Sequence, residues 1–132
     1  MKKNRSRKRQ GVLTLNNIIL EKHEMATVAF LLALGWDIEL IPPSIIPGRK
    51  MPDIWMQGLQ WEMKSPKYST RSTIEHTFQS AAKQAENVIF DLRRVSGNEK
   101  IAITILERRF TQSKRIKRML IINKHGELLR YL

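Results

Sequence analysis

The chain of 132 residues contains no cysteine. Disulfides and thiolate metal sites are therefore excluded. No stretch reaches the roughly 18 consecutive apolar residues of a membrane-spanning helix. The most apolar segment, residues 25–34, follows a charged stretch and ends at Gly35, which marks it as a core helix. The N-terminus is positive but lacks the apolar run of a secretory signal. With neither span nor signal, a cytoplasmic site of action is expected. Acids are scarce: 12 Asp and Glu stand against 24 Lys and Arg, for a net charge of +12. Six of the basic residues fall in the first ten, and six more lie between Arg108 and Arg118. Such a surplus favours polyanionic partners, nucleic acid first and an anionic membrane surface second.

The length fits one domain with a single core. Residues 1–10 lack any apolar side chain after Met1 and read as a basic, disordered tail. Residues 11–132 form the domain. A helical pattern runs from about Leu15 to Leu34, with Gly35 as its stop signal. WDIEL (36–40) alternates like a strand, and residues 41–50 are a proline-rich loop ending in Arg49 and Lys50. PDIWM (52–56) and LQWEMK (59–64) read as two strands, and SPKYSTRS (65–72) as a basic connection. A helix over 73–87, a buried strand over 88–92, a helix over about 99–110 and a C-terminal hairpin complete the order. The β-branched run IAITIL leaves the third helix open to a strand reading. The predicted class is α/β, a mixed central sheet flanked by helices, in the order α-β-β-β-α-β followed by α-β-β.

Chemistry concentrates in PDIWMQGLQWEMK, residues 52–64. With Gln57-Gly58 as a two-residue hairpin turn, Met56 pairs with Leu59, Trp55 with Gln60 and Ile54 with Trp61. Asp53 then faces Glu62. Alternation places Ile54, Met56, Leu59, Trp61 and Met63 on a core face, and Asp53, Trp55, Gln60, Glu62 and Lys64 on the other. Like charges directly opposed in a sheet are destabilising. A shared proton, a cationic neighbour or a bound metal would relieve them, and converging oxygen ligands suit Mg²⁺ or Mn²⁺. The alternative is a solvated strand face with a surface Glu62–Lys64 pair.

Pro52-Asp53, a hairpin, then Glu62-Met63-Lys64 resembles the signature of the PD-(D/E)xK, restriction-endonuclease-like nuclease superfamily. From about Glu24 to Leu92 the chain is similar to the C-terminal nuclease domains of CdiA-type contact-dependent growth inhibition toxins, several of which cleave tRNA. The shared features are Glu24, the apolar helix ending at Gly35, Pro52-Asp53, Glu62-x-Lys64 and Gln84-Ala85. Archaeal Holliday-junction resolvases share much of the same plan. The short Asp53–Glu62 spacing departs from the pattern. Met1 opening the chain points to a standalone nuclease or an excised domain.

The resemblance implies a metal-dependent endonuclease. Asp53 and Glu62 would hold Mg²⁺ or Mn²⁺ with the Met63 carbonyl, Glu24 would assist, and Lys64 would orient the attacking water. It implies RNA, tRNA above all, as substrate, and an acidic immunity protein as partner. The alternatives are a DNA endonuclease of resolvase or restriction type and a noncatalytic nucleic-acid-binding module. Lys67, Tyr68, Arg71 and Thr73 follow the signature and are candidates for phosphate contact and base stacking. Arg108, Arg109, Lys114 and Arg115 are candidates for tracking the backbone. His23 and His76 read as surface or packing residues, His125 as a turn residue, and the tryptophans chiefly as packing, with Trp55 nearest to exposure.

Overall fold

The computed structural model describes residues 9–132. The disordered-tail expectation falls on residues 1–8, outside that range; Arg9 and Gln10 are exposed. The elements are β1 (Leu13–Thr14), α1 (Lys22–Ala33), β2 (Ile38–Leu40), β3 (Ile54–Met56), β4 (Leu59–Lys64), α2 (Arg71–Gln84), β5 (Asn87–Asp91), α3 (Glu99–Gln112), β6 (Arg118–Ile122) and β7 (Leu128–Tyr131). The seven strands form one sheet in sequence order. Its pairs are β1–β2, β4–β5 and β5–β6 parallel, and β2–β3, β3–β4 and β6–β7 antiparallel. The mixed sheet is as predicted, with β1 an additional strand.

The first helix starts later than its pattern predicts. Asn16 and Asn17 both take left-handed φ values, 52° and 62°, which a continuing helix cannot accommodate. The Asn16 amide instead donates to the Leu40 carbonyl at 2.8 Å, tying this segment to β2. α1 then begins with a capping box: Glu21 N–H donates to Glu24 Oε1 at 2.9 Å. α2 begins and ends ahead of its predicted bounds. Thr70 is extended, with its hydroxyl on Thr73 Oγ1, and Asn87 already belongs to β5, its side chain donating to the Gln60 carbonyl of β4. The IAITIL run is helical. Asn98 accepts from the Lys100 amide as N-cap, and Ala102, Ile105 and Leu106 make one buried face.

Helices cover both faces of the sheet. On one, Val28 and Leu31 of α1 pack with Ile38, Ile54, Met56, Trp61, Ile89 and Leu120. On the other, Ile74 and Phe78 of α2 and Ile105 and Leu106 of α3 pack with Val88, Phe90, Met119 and Ile121. Each such side chain, fully buried, stabilises by about 1.5–3 kcal/mol. The two clusters lock β4 and β5 as the rigid centre, and β4 carries the acidic signature.

Candidate functional site

The hairpin turn sets the site. Gln57 and Gly58 both have positive φ, 56° and 75°, the requirement of a type I′ turn. The pairs Met56–Leu59, Trp55–Gln60 and Ile54–Trp61 follow as counted. Beyond Ile54 the ladder changes. Asp53 N–H donates to the Trp61 carbonyl at 2.9 Å, and the Met63 amide is taken at 2.7 Å by the Asp53 side chain, through Oδ2. Asp53 and Glu62 are therefore not the facing ladder pair that the hairpin count predicts, because the Asp53 amide takes the Trp61 carbonyl and shifts the register. The strands part here, and the Asp53 carboxylate does the work of a backbone acceptor.

The parting opens a cavity of about 230 Å³ lined by His23, Glu24, Thr27, Asp53, Glu62, Met63, Lys64 and Ser65. Glu62 is only 4 % exposed. Its Oε2 lies 3.3 Å from Lys64 Nζ, which also donates to Ser80 Oγ of α2 at 3.2 Å. Its Oε1 is buried with no hydrogen-bond partner among the described residues. The pair is thus no solvated surface bridge. Burial, then the Asp53 charge, push the Glu62 carboxyl from 4.5 up to about 8, against the pull of Lys64. Burial also raises Asp53, against the Met63 amide, a proton shared with the Glu62 carboxyl and the Lys64 charge, while the Glu24 charge adds to the rise.

α1 brings the third acid and is itself held from beneath. Thr27 Oγ1 donates to Asp91 Oδ2 of β5 at 2.7 Å. Arg93 bridges Asp91 through Nε and Nη2 and donates to the Ala26 carbonyl. Burial would raise the Asp91 carboxyl, but the hydrogen bonds from Arg93 and Thr27 outweigh it and hold it below the usual range. Sequence reasoning misses this Thr27–Asp91–Arg93 lock, because its members lie far apart in the chain. His23, which the sequence reads as a surface or packing residue, lines the cavity beside Glu24.

Of the predicted site residues, Glu24, Asp53, Glu62 and Lys64 share the cavity. Lys67, Tyr68, Arg71 and Thr73 do not line it. Lys67 and Tyr68 are exposed on the connection after β4, Arg71 lies 3.5 Å from Glu75, and Thr73 accepts from Thr70. Lys114 and Arg115 line a separate cavity with Lys83, Glu86 and Lys117 at the end of α2. Arg108 is exposed on α3, and Arg109 lays its guanidinium over the Phe78 ring. His76 is exposed, and His125 sits in the β6–β7 turn.

The oxygen-rich pair is compatible with a hard divalent cation. Two carboxyl groups meet in a cleft, and one buried oxygen is left without an amide, hydroxyl or ammonium donor among the described residues. Among the described residues no three His, Cys, Asp or Glu side chains converge closely enough to hold an ion alone. Backbone oxygen and water would have to complete the shell. No helix among the described residues is long and apolar enough to cross a membrane.

No curated protein sequence matches the chain. Among solved structures, a chain of the CdiA-CT/CdiI toxin and immunity complex from Burkholderia pseudomallei is similar in fold. The TM-score is 0.68 at 16 % identity, over 92 % of this chain and 98 % of that one. A family model, the contact-dependent growth inhibition CdiA C-terminal domain, matches residues 50–128, more than half of the chain and all of the Asp53–Lys64 hairpin. The chain belongs to the family of CdiA C-terminal domains.

Proposed function

We propose that the protein is a toxin nuclease of the PD-(D/E)xK type, hydrolysing phosphodiester bonds in RNA, with tRNA the favoured substrate. On this reading α1 through β5 form a restriction-endonuclease-like core, and cleavage takes place in the cytoplasm. The observation that carries it is the buried Glu62 carboxyl beside Asp53, whose Oε1 no amide, hydroxyl or ammonium donor among the described residues reaches, with Lys64 Nζ 3.3 Å from its Oε2. A solvated strand face would not leave such an atom, because a buried unsatisfied polar group is costly.

Asp53, Glu62 and the Met63 carbonyl would hold Mg²⁺ or Mn²⁺, with Glu24 assisting from α1. When bound, such an ion lowers the pKa of water and offsets negative charge on phosphoryl oxygens. Lys64, whose ammonium donates to Ser80 Oγ, would orient the attacking water and meet the growing charge on the phosphate. Glu24 spends one oxygen on its helix cap, so its other oxygen is the one free to orient water. The basic surface gathers the polyanion, and an acidic immunity protein would match the same surface.

The test is incubation with total tRNA and, separately, with plasmid DNA, with Mg²⁺, with Mn²⁺ and with chelator. Metal-dependent tRNA cleavage that disappears in Asp53→Ala, Glu62→Ala and Lys64→Ala supports the reading. Cleavage of plasmid but not tRNA moves the substrate to DNA. Cleavage untouched by chelator contradicts the metal site and returns attention to His23, which lines the cavity. Binding without cleavage under any divalent metal would make the protein a noncatalytic module.

A further inference from the structure

One large side chain beside the carboxylates remains without a packing role. Trp61 is 2 % exposed and donates its indole N–H to the Met56 carbonyl. Trp55, on β3, is 42 % exposed. It stands two residues from Asp53 in the chain, and the groove beside it reaches Pro52, the residue before Asp53.

The surroundings of Trp55 are polar in a directed way. On one side lies a cavity of about 490 Å³ whose lining includes Arg49, Lys50, Trp55, Gln60, Gln84 and Asn87. The Arg49 and Lys50 side chains make no hydrogen bond or ion pair among the described residues. At Gln84–Glu86 this groove meets the second cavity, with Lys83, Lys114, Arg115 and Lys117. On the other side stand Glu39, paired across from Trp55 in β2, and Asp37. Asn16 and the Val12 amide hold these acids in place. A phosphate backbone is therefore attracted along one edge of the indole and repelled from the other.

We propose that Trp55 is a stacking platform for an unpaired base next to the cleaved position, with Arg49 and Lys50 on its phosphate. The amides of Gln60 and Gln84 lie along the groove that the base edge would face. The geometry suits a single-stranded or looped segment, because a paired base offers no free face to an indole. The inference rests on the nuclease reading of the same site for its position, but its chemistry is binding and is tested separately.

The experiment uses the full chain with Glu62→Gln, so that nucleic acid stays intact. Short single-stranded RNA and DNA oligonucleotides are titrated while tryptophan fluorescence and affinity are followed. Quenching is expected, and it should vanish in Trp55→Phe with most of the affinity kept. Trp55→Ala should weaken binding by about 5- to 150-fold, the range measured for base–aromatic stacking. Paired removal of Arg49 and Lys50 should reduce the salt slope by about 1.4 for a single strand. Preference for either oligonucleotide identifies the sugar and leaves the stacking role intact. Unchanged affinity and quenching in Trp55→Ala, or no oligonucleotide binding at all, would overturn the proposal. Self-association without oligonucleotide that Trp55→Ala abolishes would assign this face to a protein contact instead. Trp55-dependent binding in a wild-type chain that cuts nothing would keep the platform and remove the nuclease reading.

Discussion

At the scale of single residues, two neighbours on β4 have opposite tasks. Trp61 fills the core, and Glu62, one position on, carries a carboxylate into a cleft. Alternation makes that division legible in the sequence. It does not reveal that Glu62 is buried, because burial comes from β5 and α2, which close over β4 from later in the chain. Burial has a consequence for stability. Glu62 in the fold keeps its proton up to about pH 8, whereas the unfolded chain loses it near 4.5. Between those values the folded state binds more protons, so its stability falls as pH rises. Urea unfolding in chelator should show a lower midpoint at pH 8 than at pH 5.5, and Glu62→Gln should flatten that fall. For Lys64→Met the expected effect is on rate, a loss of about 10²–10³ in kcat, as for other removed donors to developing charge. Single-turnover cleavage would measure it.

At the scale of elements, the site depends on how α1 and the 65–70 connection are tied down. α1 reaches the cleft because Thr27, Asp91 and Arg93 lock it to β5. Asp91→Ala should cost about 1.5–3 kcal/mol, the usual loss of hydrogen bonds to a charged group. It should also slow cleavage, since His23 and Glu24 ride on the same helix. The Asp91 carboxyl is held below 3.8, so its contribution is present above that pH and is lost as pH falls through the folded value. Acid unfolding should accordingly be shallower in the variant. The connection is clamped to the β5–α3 turn: Ser96 N–H donates to the Lys67 carbonyl, Ser69 N–H to the Ser96 carbonyl, and Arg94 to the Ser65 carbonyl. Gly97, at φ 98°, sits where an added Cβ would lie 2.5 Å from Ser69 Oγ. Gly97→Ala should destabilise by about 1 kcal/mol or more, read by thermal unfolding. Helix bounds were only partly legible. The Asn16-Asn17 break and the Glu21/Glu24 cap are written in the sequence, yet apolar periodicity ran over them. Short β1 was not, because Leu13–Thr14 is a strand only through its pairing with β2.

At the scale of the molecule, the charge surplus is the most legible property and the least specific. It predicts binding to nucleic acid that weakens steeply with salt. It does not say where the strand runs. The predicted cations are dispersed: Lys114 and Arg115 line one cavity, Arg109 is drawn onto Phe78, and Arg71 lies against Glu75. Arg49 and Lys50, noted in the sequence only as cations preceding the acids, stand nearer to the hairpin. Membership of the CdiA C-terminal domain family rests on a match that includes Lys50 and the whole hairpin. The core alternation, the turn and the signature spacing could all be read one residue at a time. The converging cleft could not, since it needs α1, β3, β4 and α2 together.

The proposed divalent-cation site at Asp53 and Glu62 is open to direct measurement. Calorimetric titration of the full chain with Mn²⁺ at pH 7, in two buffers of different ionisation enthalpy, tests it most directly. If Asp53 and Glu62 hold the cation, one ion binds per chain with release of about one proton as it is displaced from Glu62, and both signals are lost in Glu62→Gln. No binding, or binding and proton release that survive in Glu62→Gln, would contradict it.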